Sequence, residues 1–206
     1  GIPPNWSTLT VDEIEAAAAF MHDTGWTLVW TPPTPIVQDL LRTSSRTERE
    51  DVLLRSESVI LADLADLIAV SNHSDLPALR TACTEALETY RSGYFRAAQA
   101  LAAAAFGIVV HGHLGHPTWA RAKAVADGLD PEQEGISVFR FNLLRRTIQK
   151  VATSHFPGDP DPGVFSRHAS LHGVSDDQYT QVNSLFAGML LTSFLRELSS
   201  LFDLRD

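Results

Sequence analysis

The stretch Ser166-Arg167-His168-Ala169-Ser170-Leu171-His172-Gly173 gathers one arginine and two histidines. No other part of the chain brings together so many groups able to handle phosphate or protons. Arg167 offers a permanently charged planar fork that binds phosphate oxygens bidentately. His168 and His172 titrate near neutral pH, so each can take and give a proton. Such groups suffice, without a metal, to cleave RNA through its own 2′-hydroxyl. A histidine removes the hydroxyl proton or protonates the leaving oxygen, and the arginine stabilises the charge that builds on the phosphorane. Spacing imposes a condition. On a continuous helix Arg167 and His172 point about 140° apart, whereas His168 and His172 share a face. Arg167 and His172 therefore converge only through a bend at a loop–helix junction, for which Pro162, Gly163 and Gly173 provide, or through a second subunit. A structural role uses the same residues: all three side chains can bind backbone carbonyls and cap helix ends around a loop.

Two further groups bear on this chemistry. Between Gly135 and Gly158 there is no Asp or Glu, and the window carries Arg140, Arg145, Arg146, Lys150 and His155. It reads either as a solvated helix face or as a positive approach to the Arg/His stretch, with Arg140, Arg145, Arg146 and Lys150 as candidate RNA contacts. Lys150 is one of two lysines in the chain, four residues after Arg146. The second group is His111, His113 and His116. Metal sites use closely spaced histidines. Here no cysteine or acid accompanies them and Gly112 and Gly115 make the spacing irregular, so they read as a helix end and a turn. No metal and no cofactor is expected.

The elements that must position these groups read as helices. Thr10-Val11-Asp12-Glu13 has the form of a capping box, opening a helix that stops at Gly25. Trp26–Trp30 is short and aromatic with no partner strand nearby, and is expected as an extended connector. Thr34 is expected to cap a short helix with Pro35 first, running to about Leu41. Residues 47–70 carry one long apolar periodicity and predict a single helix. Ser71–Ser74 break it, with His73 at the surface, and Ser74 or Asp75 is expected to cap a helix over 76–91. Gly93 precedes an Ala-rich helix over 94–110. Pro117 opens a short helix to Ala126, and Asp130-Pro131 another that runs to Val151. After the breaker at 157–163 and the Arg/His stretch, Ser175 and Gln178 have the form of a second capping box. The last helix, Tyr179 to Leu201, carries so wide an apolar stripe that it belongs at the centre of a core or at a subunit interface.

The sum is an all-α helical bundle of about seven or eight helices with no substantial sheet. One domain over 1–206 is expected, with 1–130 of unassigned topology and 131–206 carrying the helix, loop, motif and core helix. The composition agrees: 44% hydrophobic and 20% charged residues are the proportions of an ordinary globular chain. A net charge of −9 argues against a general nucleic-acid coat and leaves a local basic site open. The single cysteine, Cys83, excludes an internal disulfide and fits a reducing cytoplasm. No apolar run reaches membrane-spanning length, so no membrane partner is expected.

In Arg167-His168-Ala169-Ser170-Leu171-His172, followed by Gly173, Tyr179 and Asn183-Ser184-Leu185, the chain resembles the HEPN superfamily of small helical-bundle proteins. It is most similar to the bacterial branch with an Arg-His-x-x-x-His-Gly stretch. The motif covers about 20 residues of 206. The resemblance implies a metal-independent endoribonuclease, often a toxin of a toxin–antitoxin pair or a phage-defence effector. It also implies a homodimer in which two motifs form one cleft, RNA as substrate, and a protein inhibitor or antitoxin as a further partner. By the same likeness Arg167 and His172 are catalytic and His168 assists as the polar partner. The alternative is a non-catalytic helical interaction module, such as an antitoxin, scaffold or regulatory protein, in which the motif is structural.

Overall fold

The computed structural model describes residues 1–127, 139–156, 159, 162, 164–172 and 175–204, without the side chains of Asp127 and His172. Among these residues there are ten α-helices and no strand. The all-α class is as expected, and helices are more numerous than the sequence pattern suggested. The helix start read at Asp130-Pro131 and most of the 157–163 breaker lie outside the described residues.

The N-terminal caps follow from side-chain chemistry. In α1 (Val11–Thr24) the Glu13 amide donates to the Thr10 hydroxyl at 3.3 Å, and the Thr10 amide donates back to the Glu13 carboxylate at 2.8 Å. Gly25 ends the helix at φ 73°, a conformation that only glycine adopts without strain. The connector after it has no partner strand. The Leu28 carbonyl accepts from the Trp6 indole at 2.7 Å and the Asn5 amide at 2.9 Å, and the Trp30 amide donates to Asn5 at 3.0 Å. A short 3₁₀ turn, Pro4–Trp6, thus satisfies a buried irregular segment that water cannot reach.

Three local expectations are corrected. Thr34 is the first residue of α2 (Thr34–Leu41) and does not cap it, because its hydroxyl donates to the Asn5 carbonyl at 2.7 Å. The segment read as one helix is two, α3 (Arg46–Arg55) and α4 (Glu57–Val70). The break at Ser56 lets α3 pack on α2 while α4 turns to α5 (Pro77–Arg91) and α10 (Gln181–Phe202). Neither Ser74 nor Asp75 caps α5. The Asp75 amide instead donates to His73 Nδ1 at 3.2 Å, and His73 is tucked against Phe202 rather than set at the surface.

The Ala-rich segment forms α6 (Phe95–Gly107) and runs on into a π-helical turn, Ile108–His113. Small residues let α6 approach α10 and α5 closely. Then come α7 (Trp119–Asp127), α8 (Phe139–Val151) and the short α9 (Arg167–His172). α10 is the centre, as its wide stripe implied: its hydroxyls serve neighbouring backbone, Ser184 donating to the Phe95 carbonyl at 2.9 Å and Ser193 to the Val29 carbonyl at 2.7 Å. By length and hydropathy α10 and Phe95–His113 could each cross a membrane, which corrects the expectation that no segment reaches that length. In this fold α10 spends its apolar surface on α4, α5 and α6.

Candidate functional site

α9 is a six-residue helix held from below. Phe165, just before it, is buried against Phe106 and Phe186 at ring distances of 6.1 and 6.0 Å. The Ser166 hydroxyl accepts from the Ala169 amide at 3.2 Å, which is an N-cap. Gln178 then secures the whole approach. Its Oε1 accepts from the Ser166 amide at 2.9 Å and its Nε2 donates to the Val164 carbonyl at 2.8 Å. Gln99 of α6 donates to the Ser170 hydroxyl at 2.9 Å and to the Gln178 carbonyl at 3.0 Å, and the Tyr179 hydroxyl donates to the Ser170 carbonyl.

This network corrects the second capping box. Ser175 does accept from the Gln178 amide at 3.1 Å, but it closes a single turn. Gln178 points into the core, and the cap of α10 is Thr180, whose hydroxyl accepts from the Asn183 amide at 3.0 Å. Gln99 carries no motif in the sequence, and Gln178 reads there only as a cap.

The outer side of α9 presents Arg167 and His168, both half-buried. The Arg167 guanidinium lies 4.3 Å over the ring of Trp119 in α7. Its Nε is shielded from water and has no hydrogen-bond partner among the described residues, and burial pulls the group below its usual range. The Nδ1 of His168 is 2.8 Å from the His155 carbonyl and 3.2 Å from the His155 amide. His168 Nδ1 is thus engaged by the His155 backbone, accepting from its amide or donating to its carbonyl according to the tautomer.

Arg167 and His168 line a cleft of about 500 Å³ with Trp119, Lys123 and Ser154, and no acid is among its described lining residues. Around Arg167 this is a cationic spot in an acidic chain. His172 ends α9, and its side chain lies outside the described residues. α9 runs unbroken from Arg167 to His172, so the bend that would bring these two positions together does not occur between them.

The basic window does not form one surface. Arg140 turns inward: its Nε donates to the buried Glu197 at 2.9 Å, and its guanidinium lies 4.8 Å over Trp30. Arg145 reaches Asn142 at 3.4 Å and lies 5.5 Å over Phe141. Arg146 is half-buried and engaged. Lys150 is exposed, its stem resting on Gly25, and it lines a second cleft beside α9. Lys150 shares that cleft with Ser166 at the head of the motif.

The second histidine cluster also separates. His111 Nδ1 pairs with the His116 carbonyl at 2.7 Å and its ring meets the edge of Trp119 at 5.7 Å, so it buttresses the Arg167 platform. His113 packs on Phe202 at 6.0 Å. Burial, then Arg145, Arg121 and His111, hold His116 below its usual range. Among the described residues no group of three or more His, Cys, Asp or Glu could hold a metal ion. No protein-family model, no curated protein and no solved structure matches the chain.

Proposed function

We propose that this protein is a metal-independent endoribonuclease of the HEPN type that acts as a homodimer on RNA. One observation carries the proposal: a half-buried guanidinium, Arg167, stacked on Trp119 with its Nε unpartnered, in a cleft with Lys123 and His168 and no lining acid among the described residues. A desolvated cation with no anion beside it among the described residues is costly, and a bound phosphodiester supplies that anion. Arg167 then stabilises the extra charge of the phosphorane. His168 takes the proton of the attacking 2′-hydroxyl or orients it, and His172 of a second subunit completes acid–base exchange. Bond breaking at the 5′-oxygen leaves a 2′,3′-cyclic phosphate and a 5′-hydroxyl. The resemblance carries the cellular setting: a cytoplasmic toxin or antiviral effector restrained by a protein inhibitor.

The experiment is incubation of purified protein with single-stranded RNA in EDTA. The wild type should cut and leave cyclic phosphate ends, and Arg167→Ala and His172→Ala should each lose at least about a hundredfold in rate. Equal products from the wild type and His172→Ala would sink the proposal. A second reading has its own support. The Arg167–Trp119 stack and the Gln178 network anchor α9 to α7 and α6, as a non-catalytic interaction module would need. It predicts an inert wild type whose Arg167→Ala variant is merely less stable.

A further inference from the structure

The cleft at Arg167 does not stand alone. It meets a second cleft, of about 530 Å³, at Ser154, which lines both. The chain has two lysines, Lys123 and Lys150, and one lines each cleft. Thr24, Thr153, Ser154 and Ser166 add hydroxyls to walls that are otherwise largely apolar. Among the described lining residues the one acid is Asp159, whose carboxylate accepts from the Phe156 amide at 2.8 Å. Phe156 sits two residues after Ser154. It is 62% exposed, with its ring 6.1 Å from that of His168.

A lone exposed aromatic needs no explanation. One whose ring meets His168, in the wall of the first cleft, and which follows His155, in the wall of the second, has the makings of a stacking platform. Single-stranded nucleic acid is held by such a combination, cations following the phosphates while bases stack on aromatic rings. A duplex keeps its bases stacked inside and offers Phe156 no free ring. We infer that the two clefts form one path for a single-stranded polynucleotide. Lys123 and Arg167 take phosphates on one side of Ser154, Lys150 takes them on the other, and Phe156 stacks an unpaired base. The path rests on the proposed function only for its ligand, a phosphodiester chain, and not for any catalytic step.

The test is fluorescence anisotropy with a short labelled oligodeoxythymidylate, titrated at several salt concentrations. That strand lacks the 2′-hydroxyl, so it reports binding apart from cleavage. Lys123→Gln and Lys150→Gln keep the side-chain stems, including the one on Gly25, and Phe156→Ala trims a ring that is mostly in water. Thermal melts should therefore be unchanged. Each lysine replacement should lower the slope of log affinity against log salt by about 0.7. Phe156→Ala should weaken binding about tenfold, and a duplex of the same length should bind more weakly than the single strand. Wild-type affinity in all three variants, or equal affinity for the duplex, would overturn the path. If the wild type cleaves RNA while the three variants bind normally, the path fails and the ribonuclease stands. If the variants lose binding while the wild type cleaves nothing, the path stands and the ribonuclease fails.

Discussion

Arg140 shows what a single side chain can hide. Read along the chain it belongs to an acid-free window, and by charge it is a candidate for RNA. In the fold its partner is Glu197, 57 residues away and 1% exposed. The same carboxylate accepts from the Trp30 indole at 2.6 Å, and Arg196 also lies over that ring at 4.6 Å. Trp30 is held at φ 69°, a left-handed backbone that a bulky residue adopts only when its surroundings fix it. The pair is therefore part of what holds the connector on α10. Removing the cation leaves a buried carboxylate with an indole donor and, among the described residues, the N-terminal ammonium of Gly1 as a nearby counter-charge. Arg140→Leu should cost about 3–5 kcal/mol in urea unfolding, and the double variant with Glu197→Leu should recover part of that loss. A cost under about 1 kcal/mol would show the pair to be peripheral, as exposed ion pairs usually are. Counting acids within a window missed this partner because charge neutralisation in a folded chain is spatial.

At the scale of elements, local signals were legible where chemistry and spacing act within one turn. The Thr10–Glu13 box, the stop at Gly25 and the wide stripe of α10 all depend on neighbours three or four residues away. Long-range competition explains the misses. Thr34 gives its hydroxyl to Asn5, the helix over 47–70 breaks so that its halves can reach different partners, and Gln178 leaves its turn to hold α9. The candidate site was legible in part. Arg167 and His168 were found through their chemistry, whereas Trp119, Lys123 and Phe156 lie far off in sequence or carry no motif. Gln178 is the sharpest case, since one side chain joins Val164, Ser166 and Ser170. Gln178→Ala strands the buried Ser166 amide and deprives the Val164 carbonyl of its donor, at about 1–3 kcal/mol per group left unpaired. Hydrogen exchange should then quicken in α9 while α4 and α5 keep their protection. Uniform loss of protection would mean that α9 unfolds only with the whole molecule.

For the whole molecule, the deciding geometry is the unbroken course of α9. Arg167 and His172 stand about 140° apart around one short helix, so a site that uses both draws them from different copies. In a two-fold dimer each composite site then takes Arg167 from one subunit and His172 from the other, and the two sites are equivalent by symmetry. Arg167→Ala and His172→Ala homodimers are each dead at both sites. Mixed and allowed to exchange, half of the dimers become heterodimers. In those, one site collects both substitutions and the other collects neither. Activity should return to about a quarter of the wild-type level at equal mixing. Sites built within one subunit restore nothing, because every copy in the mixture lacks one of the two groups. The mixing experiment therefore separates a shared site from a self-contained one without any structure of the assembly. Its negative control is Arg167→Ala mixed with Arg167→Ala/His172→Ala, where no arrangement yields an intact pair.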